Sequence, residues 1–188
     1  MGKLIIFSAP SGSGKTTIVR RLMEEMSGLE FSVSATSRAP RGAEQHGKDY
    51  YFLSAEEFDK LIAENSFVEW EEVYAGTKYG TLKSELERIW AKGNTILFDV
   101  DVKGGVRLKS IFGTDARSIF IMPPSVEELR RRLEGRATDS PEKIAQRIAK
   151  ADEELGYAPQ FDVVVVNDNL DTAVAEVHDA VAEFIGGK

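Results

Sequence analysis

The 188-residue sequence predicts an α/β fold with a parallel sheet core flanked by helices. Three observations carry that expectation. Apolar strand-like runs at Leu4 to Ala9, Thr95 to Asp101, Ser118 to Met122 and Phe161 to Val166 are each followed by a segment of helical period, the pattern of parallel βαβ units. The run Val163-Val164-Val165-Val166 is apolar on both faces, as a strand covered by helices on both sides requires. A glycine-rich stretch, SAPSGSGKTT at residues 8 to 17, joins the first strand to the first helix.

That first junction carries the strongest chemical signal. Glycine costs conformational entropy and buries nothing, so a packed core gives no reason for Gly12, Ser13 and Gly14 in succession. A bound anion does: such a loop turns successive backbone N–H groups inward around phosphate oxygens, and the following helix adds its positive dipole end. The pattern G-x-x-x-x-G-K-[ST] is met except at its first position, where Ala9 stands for glycine. Lys15 then reaches the β- and γ-phosphates and the Thr16 hydroxyl ligates Mg²⁺. Residues Ala9, Pro10, Ser11, Gly12, Ser13, Gly14, Lys15, Thr16 and Thr17 form the expected ATP-phosphate site of a P-loop NTPase fold.

Residues 35 to 83 interrupt the βα alternation. They hold strand candidates at Tyr50 to Leu53, Phe67 to Val73 and Lys78 to Gly80 around a helix over Ala55 to Asn65, and read as a small mixed insertion. At its entrance, FSVSATSRAPRG alternates Phe31, Val33 and Ala35 on one strand face with Ser32 and Ser34 on the other. Arg38 and Arg41 follow around a proline, and two guanidinium groups near a rigid turn suit bidentate phosphate binding. Tyr50 and Tyr79 can add phenol donors, and Glu69 shares a strand face with Phe67 and Glu71.

The chain then returns to the core. TILFDVD ends a buried strand with Asp99 and Asp101 two residues apart, hence on one side of the pleat and at the carboxyl end where ligands of such sheets bind. Asp99 is the natural partner of a Thr16-bound magnesium, directly or through water. An Asp at a strand end is also a common helix N-cap. Residues 125 to 150 read as a helical, arginine-rich flap, opened by a capping box at Ser125 and Glu128 and renewed at Ser140-Pro141. Within it Arg132 and Arg136 share a helical face and Arg147 lies on the next helix; Arg130 and Arg131 suit solvent. A closing flap of this kind stabilises a transferring phosphoryl group and excludes water. The expected parts are therefore a core at 1–34, 84–124 and 151–188, the insertion at 35–83 and the lid at 125–150.

Composition narrows the function. A formal charge of −7 opposes a nucleic-acid or anionic-membrane surface, so anions must be met by local clusters. No cysteine is present, which removes disulfides and thiolate metal sites, and two histidines cannot assemble a histidine-based centre. The apolar runs are too short to span a bilayer, and no signal-peptide core is found, so a cytoplasmic protein is expected.

The segments SAPSGSGKTT, FSVSATSRAPRGAEQHGKDYYFL, FVEWEEV, YGT at 79 to 81, LFDVDVKGG, IFIMPPSVEELRRRLEGRATDS and VVVVNDNLDTAVAEV resemble the guanylate kinase family in order and spacing. The resemblance implies transfer of the ATP γ-phosphoryl to GMP, giving ADP and GDP, with Mg²⁺ as cofactor and dGMP as a further acceptor. By the same resemblance the GMP phosphate contacts fall on Arg38, Arg41, Tyr50 and Tyr79, and the guanine contacts on Ser34, Glu69, Thr81 and Asp101. The flap arginines fall on Arg132, Arg136 and Arg147, and Asn167 falls where the family meets the ATP base. Lys15, Arg38 and the three flap arginines are the expected catalytic set. Carboxylates opposite the guanine N1–H and NH₂ and a hydroxyl opposite O6 pair the base fully, whereas adenine leaves a carboxylate unpaired. This sequence departs from the commoner pattern at Ala9, at Lys78, at Lys103, and in the segment EVYAGTKYGT, one residue longer than in some relatives. Two other readings keep the fold: a catalytically silent protein-binding module, and a kinase for a different phosphorylated acceptor.

Overall fold

A computed structural model describes residues 2–74, 76–135 and 141–187. The first half of the chain gives β1 (Leu4–Ser8), α1 (Lys15–Glu25), β2 (Leu29–Phe31), β3 (Ala35–Thr36), β4 (Tyr51–Phe52), α2 (Ala55–Ala63), β5 (Phe67–Tyr74) and β6 (Thr77–Leu82). The second half gives α3 (Lys83–Trp90), β7 (Thr95–Asp99), α4 (Val102–Phe112), β8 (Ala116–Met122), α5 (Val126–Glu134), α6 (Pro141–Leu155), β9 (Val163–Val166) and α7 (Leu170–Gly186). The chain divides into two compact units, one of residues 3–29 and 97–188 and one of Gly2 with 30–96.

The expected α/β core is present. A five-stranded sheet runs in the order β2-β7-β1-β8-β9, with β1, β8 and β9 parallel. Strand β8 is buried on both faces. Ile119 and Ile121 join a core with Ile5, Phe7, Ile18, Leu22, Val177 and Val181. Phe120, pointing the other way, packs with Val102, Ala158 and Phe161, its ring 5.2 Å from that of Phe161. Two-sided burial is what a continuous apolar run signifies in a central parallel strand.

The same reasoning fails at β9. Val165 is buried, but Val164 and Val166 are 41% and 47% exposed. The strand is the last in the sheet order, and α7 covers one of its faces while the other meets solvent. It also starts two residues later than expected, because Phe161 closes a 3₁₀ turn at Ala158–Gln160.

The second unit holds a sheet in the order β4-β3-β6-β5, with β3 and β4 parallel and the β3–β6 and β5–β6 pairs antiparallel. Its core is Ala35, Phe58 and Phe67, with the Phe58 and Phe67 rings stacked 4.4 Å apart. Helix α2 starts at a full capping box, in which the Ser54 hydroxyl accepts the Glu57 N–H and the Glu57 carboxylate accepts the Ser54 N–H. It ends at Ala63 rather than Asn65, since Asn65 takes a left-handed φ of 54° that no helix continues through.

Two sequence patterns do not survive as strands. The alternation from Phe31 to Ala35 is split, with β2 ending at Phe31 and β3 beginning at Ala35; Phe31 is 37% exposed whereas Ala35 is buried. Strand β7 ends at Asp99, so Asp101 does not share a pleat face with it. Asp101 is instead the N-cap of α4, accepting the Gly104 N–H on Oδ1 at 2.7 Å. Helix α3 had no sequence-level counterpart. Helices α5 and α6 pack through Leu129, Leu133, Ile144, Ile148 and Ala151. Ser140 lies outside the described residues, and Pro141 opens α6. Among the described residues no helix is long and apolar enough to cross a membrane.

Candidate active site

The glycine-rich loop is shaped by two left-handed residues that only glycine adopts readily. Gly12 has φ 95°, and a Cβ there would lie 2.9 Å from Leu129 Cδ1 and 3.0 Å from Leu133 Cδ2 of α5. Gly14 has φ 90°, and a Cβ there would come within 2.3 Å of Asn167 Nδ2. Gly14 also caps α1 without any side-chain acceptor, so the first turn of that helix presents N–H groups to whatever fills the loop. The Ser13 hydroxyl is buried and has no partner, an orphan donor of the kind an anion would satisfy.

A cavity of about 380 Å³ is lined by residues 9–17 together with Asp99, Val100, Asp101, Arg147, Lys150 and Glu154. Lys15 reaches back across it to form an ion pair with Asp99 and to donate to the Val100 carbonyl at 3.2 Å. Thr16 sits in the first turn of α1 on the same cavity. Arg147 Nη1 donates to Ser11 Oγ at 2.7 Å, bringing α6 to the loop. Glu154, which sequence reasoning missed, lines this cavity and is paired with Lys150 at 3.5 Å. Burial pushes its carboxyl above the usual carboxylate value, against the pull of Lys150. The i, i+4 spacing from Lys150 was its one local signal.

Behind the loop a second cavity is lined by Gly12, Gly14, Thr17, Arg132, Gly135, Asn167, Asp168 and Leu170. Asn167 is 5% exposed and donates through Nδ2 to the Ser13 carbonyl at 2.7 Å. Arg132 donates through Nη2 to the Asn167 carbonyl at 2.9 Å and through Nε to Glu128 at 2.9 Å. Ser125 caps α5 as expected, but the Glu128 carboxylate turns to Arg131 and Arg132, so it orients an arginine of the proposed lid. Arg131 is 78% exposed in its side chain, as a solvent-facing arginine should be. Arg136 lies outside the described residues.

In the second unit Arg38 is held from several directions. Its Nη1 and Nη2 donate to the two oxygens of Glu44 at 2.7 and 2.8 Å, Nη1 also to the Ala39 carbonyl at 3.0 Å, and Nε to the Tyr79 hydroxyl at 3.1 Å. Its guanidinium carbon lies 5.0 Å from the centre of the Tyr50 ring and 5.6 Å from that of Phe52. Because the Tyr79 oxygen already accepts from Arg38, its own O–H proton is left to donate. Tyr50 and Tyr79 meet edge to face at 5.9 Å, so Arg38, Tyr50 and Tyr79 form one cluster. Arg41 is exposed, and its backbone N–H donates to Glu44 at 2.8 Å. Glu44 was not singled out in the sequence; its only signal was an acid three residues after the second arginine.

Strand β6 places Tyr79 and Thr81 two residues apart and therefore on one face. Thr81 pairs in register with Glu69 on β5 and donates to its Oε1 at 2.8 Å. Ser34 lies just before β3, where its carbonyl accepts the Tyr51 N–H at 2.9 Å. Asp101 belongs to the first unit and carries the α4 cap described above.

The carboxylates that orient arginines make stability depend on pH. Hydrogen bonds from Arg38, then the Arg41 N–H, pull Glu44 down from 4.5 to about 2, and those from Arg131 and Arg132 do the same for Glu128. Lys92, with Arg88 and Asn94 also contributing against burial, lowers Glu30 likewise to about 2. Depressed carboxylates stabilise the fold above their unfolded value and lose that contribution as protons bind. The melting temperature should therefore fall steadily as pH drops from 4.5 towards 2, while raising pH above that window costs none of this contribution. Calorimetry across the acid range tests it, and a melting temperature unchanged down to pH 2 would refute it.

Comparisons with known proteins converge on one family. The family model described as guanylate kinase matches residues 1–184. A guanylate kinase of Porphyromonas gingivalis is 56% identical over 98% of this chain and 99% of its own length. One from Bacteroides fragilis is 55% identical over 98% of this chain and 90% of its own. The crystal structure of guanylate kinase from Anaplasma phagocytophilum superposes with a TM-score of 0.70 at 32% identity, covering 96% of this chain and 84% of that one. With its P-loop NTPase sheet and a match that runs almost from end to end, the chain belongs to the guanylate kinase family and is an enzyme of that type.

Proposed function

We propose that the protein transfers the γ-phosphoryl group of ATP to GMP, and to dGMP, giving ADP and the corresponding diphosphate by in-line displacement. The observation that carries this reading is the face of β6, where Tyr79 stands in an arginine–tyrosine cluster suited to a phosphate and Thr81 is bonded to Glu69 in a pair suited to a purine edge. A phosphate-binding end and a base-reading end on one strand face are what a nucleoside monophosphate requires.

The roles follow from the chemistry. The acceptor is itself an anionic phosphate, so no enzymatic base or covalent nucleophile is needed, and catalysis rests on positioning and charge neutralisation. Residues 9–17 hold the ATP phosphates, with Lys15 on the transferred group, and Asn167 meets the adenine. Arg132, Arg136 and Arg147 of a lid at 125–150 neutralise the developing charge. Arg38, Arg41, Tyr50 and Tyr79, in an acceptor-binding insertion at 35–83, take the GMP phosphate. Ser34, Glu69 and Thr81 read the guanine, with Asp101 as a further base contact. The Thr16 hydroxyl and the Asp99 carboxylate would hold Mg²⁺. Among the described residues no cluster of three metal-ligating side chains exists, and two hard oxygen donors fit an ion that keeps phosphate and water in its shell. Bound there, it would supply positive charge to the phosphates of ATP.

A coupled assay of ADP formation with GMP, dGMP, AMP or no acceptor tests the reading. Turnover with GMP and dGMP but not AMP is expected. Glu69→Gln should raise KM for GMP by roughly tenfold or more, since a half-buried acceptor facing guanine donors becomes partly a donor itself. Activity with a different acceptor would discard the base assignment, and silence with every acceptor would favour a binding module.

A further inference from the structure

The most thoroughly bonded buried carboxylate of the second unit belongs to a residue outside the proposed contact set. Glu85, in the first turn of α3, is 1% exposed. Its Oε1 accepts the Val33 N–H at 2.9 Å and Arg88 Nη2 at 2.8 Å. Its Oε2 accepts the Tyr51 hydroxyl at 2.8 Å and Arg88 Nε at 2.9 Å. Arg88 is anchored in turn through Nη1 on Glu30 at 2.6 Å. Burial alone would raise the Glu85 carboxyl, but Arg88, the Val33 N–H and the Tyr51 hydroxyl outweigh it and hold it below the usual carboxylate value.

These bonds land on the immediate neighbours of two acceptor-site residues. Val33 precedes Ser34 and Tyr51 follows Tyr50. They also explain why the strand pattern breaks between Phe31 and Ala35. The Val33 N–H, which a continuous strand would spend on a sheet neighbour, is satisfied by a side chain instead. The Ser34 carbonyl then accepts the Tyr51 N–H, so Ser34 is fixed from both sides through its backbone. Tyr51 turns its phenol to Glu85 while Tyr50, its neighbour in sequence, packs against Arg38 and Tyr79.

We propose that Glu85 is a positioning residue for the acceptor nucleotide, setting at once the base-reading Ser34 and the phosphate-facing Tyr50. This rests on the guanylate kinase reading above. An amide at this position cannot replace four accepted bonds, because its NH₂ must face either the Val33 N–H or the Tyr51 hydroxyl beside an arginine donor. In the full-length enzyme Glu85→Gln should raise KM for GMP about tenfold, and Tyr51→Phe, which removes one tie, about threefold. KM for ATP, and kcat at saturation with both substrates, should stay within about twofold of wild type. A structural brace alone would lower the melting temperature without this split between substrates. Unchanged KM for GMP in both variants, or a parallel loss for GMP, ATP and kcat, would overturn the inference. If Glu85→Gln does not fold, Tyr51→Phe decides by the same split. Failure of the wild type to use GMP would overturn the proposed function and this inference with it, whereas an active wild type with indifferent variants overturns only the inference.

Discussion

Replacing Lys15 with alanine is expected to lower kcat by roughly 10²–10³-fold, the scale on which removing one preorganised charge donor acts. The side chain spans the loop cavity to Asp99 and the Val100 carbonyl, so its ammonium already lies among the groups that line the proposed phosphate site. Loss of the ammonium acts twice. The transferring phosphoryl group loses its cation, and Asp99 loses the partner that holds its carboxylate beside the loop before ATP and Mg²⁺ arrive. KM for ATP should rise alongside. Folding should be spared, because alanine is at least as good a helix former as lysine in the first turn of α1. Steady-state kinetics with a melting curve separates the cases: turnover near that of wild type in a folded Lys15→Ala protein would remove Lys15 from the mechanism.

The phosphate loop was legible because its constraints are local. Gly12 and Gly14 are demanded by the left-handed turns they occupy, and the strand before them and helix after them are short-range patterns. The same holds for α2, whose start is written in Ser54 and Glu57. What the sequence hid depends on distant partners. Val163 to Val166 has the composition of a central strand, yet its exposure follows from being last in the sheet, a property of chain order in space. Asp99 and Asp101 have the spacing of one pleat face, but a strand ending at Asp99 turns the second into a helix cap. Glu44 and Glu85 are two of 31 acidic residues, and an arginine three residues away is too common a neighbour to single either out. Their meaning comes from partners such as Arg38, six residues away from Glu44, and Val33, 52 residues away from Glu85. The proposed ligand contacts thus carry motifs in the sequence, whereas the carboxylates that orient Arg38 and Arg132 carry none for that role.

That distinction has its largest consequence at Arg38. Arg38→Lys, which keeps the charge, is expected to raise KM for GMP by about 10²-fold while leaving KM for ATP within about twofold. A lysine offers one ammonium on a flexible stem. It cannot bond both oxygens of Glu44 and the Tyr79 hydroxyl together, nor lay a planar face against Tyr50 and Phe52. The Tyr79 hydroxyl would then lose the donor that fixes its position, so the damage would spread beyond the substituted residue. Two accounts of Glu44 predict opposite results for a companion variant. If the carboxylate competes with the substrate phosphate for the guanidinium, Glu44→Gln should tighten GMP binding. If it orients the guanidinium, the same change should weaken it, in the direction of Arg38→Lys and by less. The structure favours orientation, because Glu44 also accepts the Arg41 N–H, and displacing it would break bonds to both members of the proposed clamp. Combining the two substitutions should then cost less than the sum of the separate effects, since each removes the same arrangement. A lower KM for GMP in Glu44→Gln would make the carboxylate a competitor, and near wild-type GMP kinetics in Arg38→Lys would show that charge alone suffices there.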